Sequence, residues 1–150
     1  YTVLAVGRST TDPRTLTQVT VVENTSPPST GNAKIRVIHG NGGVGAWDFF
    51  IVPTGTAFTT PTFEDVPFAG QAPGVGQPAS EFAAGNYDIL ITPANTPGTT
   101  LFRNTSVTIT AGQDLILAGV PRTAGSTPSQ QILAVPVDAN PFIINNVLPL

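Results

Sequence analysis

The chain predicts an all-β fold, an antiparallel β-sandwich of immunoglobulin-like or Greek-key type, and three observations carry that prediction. Apolar and polar residues alternate with a period of two along most of the 150 residues. Clusters of Gly, Pro, Asn and Asp interrupt the alternation at about 8–12 residue intervals, the spacing of sandwich strands. Gly and Pro number 15 each, which suits short strands and tight turns and disfavours helices.

The elements follow in chain order. Residues 1–24, YTVLAVGRSTTDPRTLTQVTVVEN, read as a hairpin: VLAV (3–6) is apolar on both faces and LTQVTVVE (16–23) alternates. TSPPSTGN (25–32) reads as a linker, because Pro27 and Pro28 lack the N–H that a sheet interior requires. The sandwich is expected over 33–140. Its opening strand AKIRVIH (33–39) places Ile35, Val37 and His39 on one face, Arg36 and Ile38 on the other. AWDFFIV (46–52) is apolar nearly throughout, as befits a strand covered on both sides. NYDILIT (86–92), TSVTIT (105–110), LILAGV (115–120) and ILAVPV (132–137) complete the strands. Turn chemistry separates them at NGG (41–43), PTG (53–55), AAGN (83–86), NTPG (95–98) and AGQ (111–113).

Some segments are less regular. ASEFAAG (79–85) could hold one helical turn ended by Gly85. FAGQAPGVGQPAS (68–80) reads as a long Gly/Pro loop, either a free excursion or a contact surface. Pro136 fits an edge strand or a position whose nitrogen faces away from the ladder. PFIINNVLPL (141–150) is an apolar, β-prone tail beyond the unit.

Composition narrows the function. Charged residues make up 10% of the chain, against roughly 25% in an average soluble domain. Six Lys and Arg against nine Asp and Glu give a net charge of −3, with no basic cluster to neutralise phosphates, so nucleic acid is not an expected partner. The absence of cysteine excludes a disulfide framework and thiolate metal ligation. No run approaches the ~20 apolar residues of a membrane helix. With Tyr at position 1 and no leader pattern, the chain reads as a mature or excised product. Asn24 and Asn104 lie in Asn-x-Ser/Thr sequons.

Several stretches carry a family likeness. AKIRVIHGNGGVGAWDFFI (33–51), EDVPFAG (64–70), EFAAGNYDILITPANT (81–96) and SVTITAGQDLILAGV (106–120) follow one another in a fixed order. In that order and spacing the chain resembles, over residues 33–138, a prokaryotic cell-surface domain family of unknown function, whose units of about 115 residues often occur in tandem. The resemblance implies a secreted β-sandwich at the cell surface and carries no catalytic residues. One departure stands out: relatives tend to have an acidic, Pro-containing loop after the histidine, where this chain has GNGGVGA (40–46).

No catalytic constellation emerges, so the chain is read as non-enzymatic. His39, the single histidine, has no partners at ligand or triad spacing. Asp48 is expected to pair with Arg36 on a neighbouring strand. Glu64 and Asp65 are adjacent, point to opposite faces and read as rim charges. GNGG lacks the following Lys-Ser/Thr of a phosphate loop, and no serine sits in a G-x-S-x-G context. No cofactor is expected. Trp47 is expected in the core; on the alternative reading, Trp47 and Tyr87 form an aromatic contact for a glycan or a surface protein.

The leading reading starts from an internal repeat. DLILAGVPRTAGSTPSQQILAVPVDAN (114–140) has the plan of residues 1–24: apolar strand, polar loop, alternating strand, acid and Asn. The chain thus carries one full unit plus an extra hairpin like the end of a preceding repeat. An isolated hairpin is marginal in water and exposes sticky edges, so something must cover it. It folds back on its own sandwich, belongs to a neighbouring repeat, or completes another copy of the chain. The apolar tail favours the third course: head-to-tail assembly by strand augmentation or exchange into an extracellular filament or surface layer. The expected interface residues are Val3, Leu4, Val6, Val19 and Val21 at one end and Phe142, Ile144, Val147 and Leu148 at the other.

Overall fold

A computed structural model describes residues 2–8, 15–22, 26–42, 44–122, 129–136 and 139–147, and every regular element among them is a strand. In chain order these are β1 (Thr2–Arg8), β2 (Thr15–Val21), β3 (Asn32–His39), β4 (Trp47–Pro53), β5 (Phe63–Val66) and β6 (Gln71–Ala72). β7 (Ser80–Ala83), β8 (Gly85–Pro93), β9 (Phe102–Ile109), β10 (Asp114–Pro121), β11 (Gln130–Pro136) and β12 (Phe142–Ile144) follow. The expected all-β sandwich is present.

Two sheets form the sandwich. One runs β12-β11-β10-β3, with β6 and β7 both paired to the far side of β3; the other runs β5-β4-β8-β9. Alternation sorts the side chains. Ile35, Val37, Leu115, Leu117 and Ile132 of the first sheet meet Trp47, Phe49, Ile89, Ile91 and Phe102 of the second in one buried core. Burying each large side chain contributes about 1.5–3 kcal/mol.

The sandwich is mixed rather than wholly antiparallel. β3 and β10 run parallel, with Ile35 opposite Leu115 and Val37 opposite Leu117. The reason lies in the AGQ turn (111–113): the Gly112 N–H donates to Asn32 O (2.8 Å), and the Lys34 N–H to Gln113 O (2.8 Å). This brings the chain to the end of the sheet where β3 starts. Gly112 holds φ +85°, a left-handed conformation that L side chains rarely adopt.

Three further expectations need correction. β3 and β4 belong to different sheets, so Arg36 does not face Asp48. Arg36 instead donates from Nη2 to Gln77 O (2.6 Å) and from Nη1 to Pro73 O and Gly74 O. That clamp ties the Gly/Pro segment to the sheet edge, and the 68–80 stretch contributes β6 and the start of β7 rather than forming one long loop. The helical turn allowed over 79–85 is β7, whose Phe82 packs on the core and meets Tyr87 edge-on at 5.9 Å. The open edge of β3 offers strand partners, and pairing overrides a weak local helical preference.

The tail is likewise part of the sandwich. β12 pairs with β11, Ile144 opposite Ile132, and Ile144 enters the core. Beyond it the Asn146 side chain accepts from the Arg103 N–H (3.1 Å) and donates to Leu101 O (3.0 Å), while the Val147 N–H donates to Arg103 O (2.8 Å). Segment 142–147 therefore bridges β11 of one sheet to β9 of the other and closes that side. The sandwich begins at Asn32 and runs through Val147, not 33–140.

Candidate assembly surface

β1 and β2 form a third, two-stranded sheet that pairs with no other strand among the described residues. Leu4 stands opposite Val19, Val6 opposite Thr17 and Thr2 opposite Val21, so these residues share one face; Val3, Ala5 and Gly7 share the other with Thr20, Gln18 and Leu16. The first face lies on the outside of the six-stranded sheet. There Val6, Val19 and Val21 pack with Ile38, Ile116 and Ala118, and Leu4, Leu133 and Val135 border the cluster. At the rim the Gln71 Nε2 donates to Thr20 O at 3.4 Å.

This arrangement explains why β10 is apolar on both faces. Its Leu115 and Leu117 serve the sandwich core, whereas Ile116 and Ala118 serve the hairpin. The receiving face was missed in the sequence, although the unbroken apolar run LILAGV and the apolar outer position Ile38 were its signal.

The internal repeat extends to the pairing register. In β1–β2, Val3 faces Thr20, Leu4 faces Val19 and Ala5 faces Gln18. In β10–β11, Ile116 faces Val135, Leu117 faces Ala134 and Ala118 faces Leu133. The VLA of the first hairpin thus occupies the ladder positions of the ILA of the second, and both hairpins turn the leucine of that triplet toward a buried layer.

The residues expected at an interface fall into two groups. Val6, Val19 and Val21 are buried on the chain's own sheet, and Ile144 is buried in its own core. Leu4 is half-buried beside the hairpin cluster. Val3 is 59% exposed, Phe142 46% and Val147 51%; Leu16, Val22 and Ile143 are exposed with them. Leu148 lies outside the described residues. So does the sequon residue Asn24, while the Asn104 Nδ2 donates to Asn145 O at 2.6 Å.

The alternative contact does not form. Trp47 is buried, with one face stacked on His39 at 3.7 Å between centroids, and Tyr87 is buried with its hydroxyl donating to Ala83 O (2.8 Å). They stand at opposite ends of β4–β8, Trp47 opposite Pro93 and Tyr87 opposite Pro53, so they make no common platform.

His39 is a structural residue at the crossing between sheets. Its Nε2 meets Gly45 O at 2.9 Å and its Nδ1 accepts from the Asn41 N–H (3.2 Å), the pattern of a neutral ring with its proton on Nε2. Burial drives its pKa below the ordinary histidine value, against the opposing backbone hydrogen bonds.

Two carboxylates do comparable work on the four-stranded sheet. Asp48 accepts from the Asp65 (2.9 Å) and Asn95 (3.2 Å) N–H groups, and Asp88 from Ser106 N–H (2.9 Å) and the Thr54 hydroxyl (2.9 Å). Asp65, Asn95 and Ser106 all have positive φ, a conformation costing roughly 1–2 kcal/mol that charge-assisted hydrogen bonds offset. Asp65 is a rim residue as expected, accepting from the Asn95 Nδ2 at 3.2 Å. Among the described residues no three His, Asp or Glu side chains are grouped to hold a metal ion. Nor does any helix long and apolar enough to cross a membrane occur among them. No family model, curated protein or solved structure matches the chain.

Proposed function

We propose that the protein is a non-enzymatic extracellular structural subunit that assembles head-to-tail, through its N-terminal hairpin, into a filament or surface layer. One observation carries this reading: a sandwich closed on its own by residues 32–147 is accompanied by a second hairpin with the register of β10–β11. A sandwich that already has this element has no internal need of another. Among the described residues the hairpin joins neither large sheet, and strand edges outside a sheet favour association. The low charge agrees, since a polymer buries surface that a monomer must keep solvated. The resemblance to surface repeats supports the extracellular setting. The tail serves its own sandwich through Ile144 and supplies no exchanged strand, while Phe142, Ile143 and Val147 remain exposed.

Negative-stain electron microscopy of native material, with the intact mass of the dissociated chain, tests the proposal. Fibres or sheets of chains near 15.5 kDa are expected, and removal of residues 1–24 should leave short soluble species. Discrete particles of that mass at every concentration would overturn it.

A further inference from the structure

The next inference rests on the assembly reading and specifies its joint. We propose that the joint is the hairpin–sheet contact made in trans. In that arrangement β1–β2 of one copy covers Ile38, Ile116 and Ala118 on the outer face of the next copy's six-stranded sheet.

The occupant is argued from fit. The face holds this chain's own hairpin through Val6, Val19 and Val21, all at most 5% exposed, so it holds the identical hairpin of a second copy equally well. Transfer breaks no ladder, because among the described residues every strand pairing of β1 and β2 is internal to the hairpin. The cluster is apolar and carries no backbone register, so the contact can be released and remade as a unit.

The connection supports the same geometry. Lys34 Nζ donates to Ser26 O, and Glu81 accepts from the Ser29 N–H (3.1 Å) and the Asn32 Nδ2 (2.9 Å). The chain is thus anchored from Ser26 onward, and redirecting the hairpin leaves these bonds in place. Each copy then has one hairpin to give and one face to cover. The two surfaces differ, so the contact is heterologous and extends linearly unless rotation closes it. Because the cis and trans contacts are the same, tethering favours cis in dilute solution and concentration favours trans.

The absence of cysteine makes the test clean. Val6 and Val120 each place a Cγ1 beside the same point above Gly40, at 3.2 and 3.0 Å, so Val6→Cys with Val120→Cys reports which copy supplies the hairpin. A second pair, Thr20→Cys with Gln71→Cys joined by a short bis-maleimide, sits at the rim and substitutes no core residue. It decides alone if circular dichroism shows the first pair misfolded. Assembled material, cross-linked and run without reductant, is expected to give a ladder of covalent oligomers, and dilute material a monomer with an internal link. Fibres that yield only internally linked monomers would overturn the trans joint while leaving the assembly reading intact. Failure of the unsubstituted chain to assemble would overturn both.

Discussion

Lowering the pH from 7.5 to 5.5 should destabilise the protein through one side chain. His39 is the single histidine, buried and held neutral between Gly45 O and the Asn41 N–H. Its folded pKa lies below the ordinary value of 6.5, so the unfolded chain takes up the proton first. For a base with a depressed pKa, the stabilising contribution is complete above about 6.5. It is lost as pH falls below that value and levels off beneath the folded pKa. Linkage makes stability fall between pH 7.5 and 5.5, by at most about 1.4 kcal/mol, the cost of protonating one unfolded histidine over that interval. Urea unfolding of dilute, monomeric protein at the two pH values measures it, with the native imidazole C–H resonances expected to titrate at lower pH than those of the unfolded chain. His39→Gln should be less stable at pH 7.5 yet nearly flat over the interval. An equal loss in that variant, or none in the parent, would refute the assignment of the proton to His39.

Three more outcomes are expected. A Cβ at Gly119 would stand 2.7 Å from Trp47 Cζ3, and Trp47 is stacked on His39, so Gly119→Ala should cost about 1–3 kcal/mol; an unchanged urea midpoint would contradict the packing. Ile144→Ala should cost about 2–5 kcal/mol, while Phe142→Ala on the same short strand stays within about 0.5; equal effects would mean the tail is seated differently. The Asp88 carboxyl is held below its ordinary value chiefly by the Ser106 N–H, with Thr54 and Gly55 assisting against burial. Its contribution is present above about pH 4 and lost as pH falls through the depressed value, so Asp88→Asn should remove part of the acid-side loss seen in a pH series of melting temperatures.

What was legible in the sequence was each strand's faces; what was not was each strand's neighbours. The alternation in AKIRVIH assigned Ile35, Val37 and His39 to one side, and all three point inward. It could not say that the GNGGVGA loop carries the chain from one sheet to the other, which is why Arg36 and Asp48 were set side by side. Periodicity has no term for pairing partner or direction, so the parallel β3–β10 seam was hidden. The tail was assigned to contact between copies because its apolar residues lie beyond the family-like segment. Its seat depends on Asn146, a polar side chain that bonds the β9 backbone as a strand residue would. Of the surface, the apolar hairpin was visible, and so was its repeat; the face beneath it was not, because Ile38, Ile116 and Ala118 come from two strands that only the fold brings together.

The parallel seam also constrains the order in which the molecule is made. All four strands of the β5-β4-β8-β9 sheet lie between Trp47 and Ile109, whereas β3 must wait for β10, which begins only at Asp114. As the chain emerges from its N-terminus, one layer can thus be complete while the centre of the other still lacks a strand. During that interval Ile35, Val37 and Ile38 have β6 and β7 at one edge and nothing at the other. Contacts so distant along the chain form slowly, since a long loop must close before they stabilise anything. Both the sandwich core and the seat of the hairpin depend on that late seam.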